Sequence, residues 1–480
     1  MSFMRSVSLA TALTAAWGSV AAPQSISDSV TRRIDAVFAR FAKPDAPGCA
    51  VGVYQNGGVA YAKGYGSANI EYGVPITPKT PFISGSVAKQ FTAAAIALLV
   101  EQGRLSLDDD VRKYIPELPD YGARMTVDDL VHHTSGLRDF WALVGAAGMR
   151  YDDTYTVDDV LRLAARQKRL NFTPGTEYDY SNTGYVAMGV IVKRVTGKSL
   201  REFADEQIFR PLGMTSTHYH DDHTMPIAGR AAAYSPGPGG GWRINVWNND
   251  IVGQGGVMTT IEDLQKWDEN FYTGKVGGAG FLKRQLERGR LANGTVLTYA
   301  FGLTVSAYRG LDMVEHSGSS GGYRTIITRF PSAHTSVVAL CNVSDANTAA
   351  LSHSVADVVL DAKFTQPPPA PRAGPQATAT SASGTVSSAD LAALPGRYYS
   401  EELDATYDVR VNGQTVTVLR PRGEADTLRV VDNRTFRAGG MTYRFVAAPS
   451  GRAHAFTIDV GRARGLEFVR RELPDGTVLR

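Results

Sequence analysis

Cysteine is nearly absent: the 480 residues hold two, Cys49 and Cys341. Two cysteines are not a disulfide framework. Both fall in strand-like segments, and neither has a histidine at catalytic or metal-binding spacing, so two buried free thiols are expected. An excess of one charge is also missing. Fifty Lys and Arg against 47 Asp and Glu leave a formal +3, so there is no electrostatic footprint for nucleic acid or an anionic membrane. Beyond the N-terminus no apolar run is long enough to cross a bilayer. There is no internal repeat. No Gly-x-Ser-x-Gly elbow is present, which argues against an α/β-hydrolase. Gly237 to Gly241 lacks the Gly-Lys-Ser/Thr ending of a phosphate loop. His218-Tyr219-His220-Asp221-Asp222-His223 has no distant ligand set and reads as a solvated loop, so neither a metal nor a cofactor is expected.

The chain is long enough for two or three domains and a sizeable core. Met1 to Arg5 is a short basic head, Ser6 to Gly18 an apolar run, and Ser19-Val20-Ala21 a small-x-small site. That is the pattern of a secretory signal peptide over residues 1–21, which places the mature chain in the periplasm or outside the cell, with no membrane span after cleavage.

From residue 22 the order is helix, two strands, a large helical insertion, further strands and a helix. Ser27 to Ala42 has helical apolar spacing with Ser27 as N-cap. Gly48 to Tyr54 and Val59 to Tyr65 are strand-like, and Asn56-Gly57 between them signals a hairpin. Val157 to Gln167, Gly184 to Thr196 and Thr260 to Tyr272 carry the helical period. Ala300 to Ala307, Met313 to His316, Tyr323 to Phe330 and Ser336 to Val343 read as strands, followed by a helix from Ala349 to Phe364. The expected fold class is α+β: an antiparallel sheet flanked by helices, with a large helical insertion. Residues 365–390 read as a Pro/Ser/Thr-rich linker. Residues 391–480 turn to short alternating runs separated by Gly and Asn/Asp turns, a small all-β barrel or sandwich. A chain ending near Phe364 is expected to stay soluble without that unit.

Three stretches carry chemistry. Ser86-Val87-Ala88-Lys89 opens a buried helix that Gly103 ends, and no other serine has lysine three residues on. On a helix, residues three apart are neighbours. A serine hydroxyl needs a base and a positive field to act as a nucleophile, and a lysine one turn away at a helix N-terminus supplies the field. Tyr178-Asp179-Tyr180-Ser181-Asn182 follows Pro174-Gly175. Tyr180 can serve in proton transfer beside a cation, and the Asn182 amide can bridge the lysine and a substrate carbonyl. Taken alone, Tyr180 is a core aromatic at a helix start. His316-Ser317-Gly318-Ser319-Ser320-Gly321-Gly322 lies where one strand ends and the next begins. Glycines there let a substrate lie along a strand edge and meet backbone N–H groups; the alternative is a glycine-rich turn.

Together, in this order, the three stretches resemble the serine β-lactamase and penicillin-binding-protein superfamily, in its class C-like branch. That branch includes class C β-lactamases, D-aminopeptidases and family VIII-type esterases. Leu105-Ser106-Leu107-Asp108-Asp109, His133-Thr134-Ser135-Gly136-Leu137 and Gly255 to Leu264 are supporting phrases. The resemblance covers Ile34 to Phe364; the C-terminal unit, from Leu394, looks like the small barrels of D-aminopeptidase-like members. It implies Ser86 as acylated nucleophile, with Lys89 and Tyr180 managing its proton. Which of the two is the acylation base stays open. It implies Asn182 as the group orienting lysine and substrate, and His316, Gly318 and Ser319 as the substrate-side strand. The backbone N–H groups of Ser86 and Ser319 would form the oxyanion hole. His316 departs from the lysine usual in Lys-Thr/Ser-Gly. A partly charged histidine there weakens the case for penicillin or D-Ala-D-Ala as substrate. The expected function is hydrolysis of a small amide, peptide or ester. A penicillin-recognising DD-carboxypeptidase or weak β-lactamase is one alternative, a catalytically silent binding protein another.

Overall fold

The computed structural model describes residues 26–245, 247–368, 386–447 and 451–471. The leader expected at 1–21 and most of the linker expected at 365–390 lie outside the described residues. Helix α1 (Asp28–Val37) starts where the Ser27 hydroxyl accepts the Val30 N–H. Strands β1 (Cys49–Gln55) and β2 (Gly58–Tyr65) form the expected hairpin. Asn56 and Gly57 both have positive φ, +50° and +80°, which this tight turn requires. Helix α2 (Lys89–Glu101) follows, then α3 (Phe140–Ala146) and α4 (Asn182–Thr196) in the helical insertion. The sheet is completed by β3 (Thr304–Tyr308), β4 (Leu311–Ser320), β5 (Tyr323–Phe330) and β6 (Thr335–Cys341), and α5 (Thr348–Val359) closes this part.

The six strands form one antiparallel sheet in the order β3-β4-β5-β6-β1-β2. Its two faces are covered by different helices, and period-two alternation along β1 divides them. Cys49, Val51 and Val53 pack with Ile34 of α1 and Val355 and Ala356 of α5. Ala50 and Tyr54 face the other way, into the core built on α2. That helix is apolar all round because it is enclosed on every side: Lys89 to Leu99 are all buried.

The two cysteines correct the expectation of free thiols. Cys49 and Cys341 are paired residues of adjacent β1 and β6, and they form a disulfide. Segment by segment, each cysteine shows only a buried apolar setting. Their pairing is a matter of strand register.

The C-terminal unit is a closed eight-stranded barrel: β7 (Gly396–Ser400), β8 (Ala405–Asn412), β9 (Thr415–Leu419), β10 (Ala425–Val430), β11 (Thr435–Ala438), β12 (Met441–Ala447), β13 (Ala453–Val460) and β14 (Ala463–Arg471). Six of these match the alternating runs. β7 and β11 lack a long alternating pattern and are held by their neighbours. A short helix, Ser388–Ala392, precedes the barrel, capped by Ser387, so order begins inside the stretch expected to be linker. The barrel is not packed alone. Phe140, Leu143, Val144 and Ala146 of α3 share its core with Tyr407, Phe456 and Phe468. Arg138, just before α3, is buried and donates to Glu402 at 2.6 Å. Among the described residues no helix is long and apolar enough to cross a membrane.

Candidate active site

Ser86 sits in a single 3₁₀ turn, Gly85–Ala88, that feeds directly into α2. With three residues per turn, positions i and i+3 eclipse, which lays the Lys89 side chain under Ser86. Lys89 Nζ stands 3.1 Å from Ser86 Oγ, 2.8 Å from Asn182 Oδ1 and 2.6 Å from the Gln254 carbonyl oxygen. The lysine is fully buried, and burial pulls its pKa well below the ordinary value. Asp139 opposes that shift and Arg462 adds to it. Ser86 itself is partly exposed and can meet a substrate.

Tyr180 lies beside them. Its ring centre is 4.8 Å from Lys89 Nζ, which places the phenol in the immediate surroundings of the serine and lysine. Burial raises the phenol pKa, and the contact with Ser86 only partly offsets this, so the hydroxyl keeps its proton. Asn182 begins α4, whose N-cap Ser181 accepts the Gly184 N–H at 3.3 Å. The Asn182 amide orientation follows from its partners. Its Nδ2 donates to Asp139 Oδ2 at 2.8 Å, which turns Oδ1 toward Lys89.

The His316 stretch is not a turn. β4 runs on through Ser320, leaving only Gly321 and Gly322 to reverse the chain into β5. Two glycines let this strand press against the Ser86 turn. A Cβ on Gly318 would stand 2.9 Å from Ser86 N, and one on Gly85, at φ +51°, would stand 2.7 Å from Ser319 N. The Ser84 carbonyl also accepts the Thr325 hydroxyl of β5 at 2.6 Å. Gly318 is therefore a contact residue between strand and turn, and Ser319, exposed, is the one that faces outward.

His316 is buried and corrects the expectation of partial charge. Its Nδ1 faces the Ser317 carbonyl oxygen at 2.7 Å and must donate there, so Nε2 accepts the Tyr299 hydroxyl at 3.0 Å. Burial and the neighbouring Lys89 push its pKa down to about 3, and the ring is neutral. A second histidine, His133, packs at a tilt against Tyr180 with ring centres 4.1 Å apart. Its Nδ1 accepts the Ser181 N–H at 3.0 Å, and burial holds it neutral as well.

All seven residues expected at the site come together. Motif reading did not single out Asp139, His133 or Tyr299 as site residues, nor the Gln254 carbonyl, nor Arg462 of the barrel. Asp139 is the N-cap of α3, its Oδ1 accepting the Trp141 N–H at 3.1 Å. A cavity of about 840 Å³ opens beside the site, between Gln254 and Ser319 on one side and Arg420, Met441 and Val460 of the barrel on the other. Trp141 and Trp247 add aromatic walls. The histidine-rich segment lies elsewhere and is not a solvated loop. Tyr219 and His220 are fully buried, and His218–Tyr219 pairs with Val257–Met258. Asp222, His223 and Asp250 bring ligand-type atoms together there; His223 Nδ1 and Asp250 Oδ1 are 2.9 Å apart, in a partly exposed hydrogen-bonded contact.

An enclosed lysine against a serine on a helix start, on an antiparallel sheet with helices on both faces, defines a class. The chain belongs to the beta-lactamase family, whose pattern it matches over residues 34–361. It is 29% identical over 318 residues to a D-aminopeptidase of Gluconobacter oxydans, covering 66% of this chain and 60% of that protein. The chain thus spans about three-fifths of that relative. In structure it resembles an octameric penicillin-binding protein homologue from Pyrococcus abyssi, with TM-score 0.62 and 24% identity, over 92% of this chain and 99% of the other. It also resembles the D-amino acid amidase of Ochrobactrum anthropi, with TM-score 0.59 and 22% identity, over 70% of this chain and all of the other. These two likenesses concern the fold.

Proposed function

We propose that this chain is an exported serine hydrolase that cleaves a small amide, peptide or ester through an acyl-enzyme on Ser86. The coordination of Lys89 carries the reading. Two of its three partners, Asn182 Oδ1 and the Gln254 carbonyl, can only accept. In the neutral amine both hydrogens are used on them, and the nitrogen lone pair is left facing the Ser86 hydroxyl. Burial favours that neutral form. Lys89 then takes the Ser86 proton as Oγ attacks the substrate carbonyl. Tyr180 stays a phenol and gives its proton to the leaving group, and the Lys89 ammonium restores it. Ser86 and Ser319 offer backbone N–H groups to the developing oxyanion. This favours Lys89 as the acylation base, a choice that residue order alone leaves open.

The relatives named D-aminopeptidase support D-aminoacyl amides and peptides as the substrate class. The neutral His316 supports the peptidase and esterase branches over a DD-carboxypeptidase or β-lactamase, which hold a carboxylate with a permanent cation at that place. We take residues 22–364 as the hydrolase unit and 391–480 as the barrel unit. A disulfide between Cys49 and Cys341 fits an oxidising compartment and supports export, independently of the leader pattern.

The test is a screen against D- and L-aminoacyl p-nitroanilides, p-nitrophenyl esters and nitrocefin, with a fluorophosphonate probe in parallel. Turnover of D-aminoacyl substrates and labelling lost in Ser86→Ala are expected. Fast nitrocefin turnover with D-Ala-D-Ala release would move the reading to a carboxypeptidase. Labelling that survives Ser86→Ala would end it.

A further inference from the structure

Arg462 belongs to the barrel, in the turn between β13 and β14, yet it stands in the site. Its turn is clamped to the hydrolase part by backbone contacts. The Asp139 N–H donates to the Arg462 carbonyl at 3.2 Å, and Asn171 Nδ2 donates to the same oxygen at 3.0 Å. Asn171 Oδ1 accepts the Arg464 N–H at 2.9 Å. Held this way, the guanidinium places one nitrogen 3.1 Å from Asp139 Oδ2 and its carbon 5.2 Å from the Tyr180 ring centre. Asp139 Oδ2 also accepts the backbone N–H and the Nδ2 of Asn182, both at 2.8 Å. A continuous path therefore runs Arg462, Asp139, Asn182, Lys89, Ser86.

We infer that Arg462 is a positioning residue for the Lys89 amine: it holds the Asp139 carboxylate that orients Asn182, and it offsets that carboxylate's charge beside the lysine. The inference rests on the reading of Lys89 as base. The groups around the amine are the Tyr180 and Tyr185 rings, His133 and His316, both neutral, and the Asp139–Arg462 pair. Asp139 is the one anion among them and favours the ammonium. Arg462 is the one permanent cation and opposes it. An Asp139 without Arg462 would draw a proton onto Lys89 and disarm it at neutral pH. Through this residue the barrel becomes part of the catalytic arrangement.

The test uses the full-length protein and needs no knowledge of the natural substrate. The rate of Ser86 phosphonylation by a fluorophosphonate, measured across pH, reads the fraction of Lys89 in the amine form. Arg462→Gln keeps the backbone contacts and removes the charge. It is expected to label about tenfold more slowly at neutral pH, with the deficit closing at alkaline pH. Arg462→Lys should recover much of the rate. Asp139→Asn removes the opposing charge and should move the profile in the acid direction. Opposite displacements by the two partners support the inference. A variant slowed by the same factor at every pH, or two variants displaced the same way, overturns it, because loss of packing alone gives that result. Wild-type protein that labels normally with no base titration in its profile removes the reading of Lys89, and the inference with it.

Discussion

Cys49 and Cys341 face each other across β1 and β6, with Cα atoms 4.0 Å apart, and are joined as a disulfide spanning 292 residues of sequence. The bond ties the N-terminal hairpin to the last strand of the sheet, so the large helical insertion lies inside the closed loop. Such a long loop loses much unfolded-state entropy. Replacing both cysteines by alanine is expected to lower stability by roughly 2–4 kcal/mol, read by denaturant melts under non-reducing conditions. Equal melts for the two proteins would show that the bond adds nothing.

The proposed mechanism gives Lys89 and Tyr180 different tasks. Lys89→Ala should slow Ser86 labelling by roughly 10³-fold, within the range of a lost general base. Tyr180→Phe should retain most of the labelling, because fluoride leaves a fluorophosphonate without taking a proton, and should lose amide turnover, because the amine must be protonated to leave. Comparing probe labelling with p-nitroanilide hydrolysis checks this. Equal losses in both assays would show that Tyr180 assists the first proton transfer.

His316 remains neutral in the folded chain down to about pH 3, whereas in the unfolded chain it takes up a proton near 6.5. The unfolded state therefore binds more protons between those values. Stability from this source is complete above pH 6.5 and is lost as pH falls toward 3. His133, also depressed, acts in the same direction. Melting temperatures from pH 7.5 to 4.5 should fall more steeply for wild type than for His316→Gln. Parallel curves would place the acid sensitivity elsewhere. His316→Lys should raise preference for substrates with a free carboxylate, read as a lower KM for that group alone.

The shared core changes what truncation should do. A chain ending near Phe364 bares Phe140, Leu143 and Val144 of α3 and leaves Arg138 without Glu402. It is expected to aggregate or to melt far below the full-length protein, contrary to the expectation of independent solubility. The single change Glu402→Ala tests the interface alone. It leaves a buried guanidinium with only the Arg169 and Arg464 carbonyl oxygens and no counter-ion, and should cost about 3–5 kcal/mol in a denaturant melt. A loss below about 1 kcal/mol, the range of an exposed pair, would show that the Arg169 and Arg464 carbonyls suffice to hold Arg138.

The Ser86-x-x-Lys89 stretch, Tyr180 with Asn182, and the His316-Ser317-Gly318 strand were all legible in the sequence, because each relation is local. A helical turn brings i and i+3 together whatever surrounds it, and strand alternation marks the buried face. The α+β order and the barrel's alternating runs were legible for the same reason. Tertiary structure decided the rest. The disulfide depends on the register of β6 against β1. The neutral state of His316 depends on enclosure by Tyr299 and Lys89. Asp139 and Arg462 meet where α3 shares the barrel's core and the hairpin turn is hydrogen-bonded to Asp139 and Asn171. No local period encodes contacts such as the disulfide, between residues 292 positions apart; they arise when separate faces are buried against one another. The sequence by itself determined which groups could do the chemistry. Packing decided their charge states and brought the barrel's arginine among them.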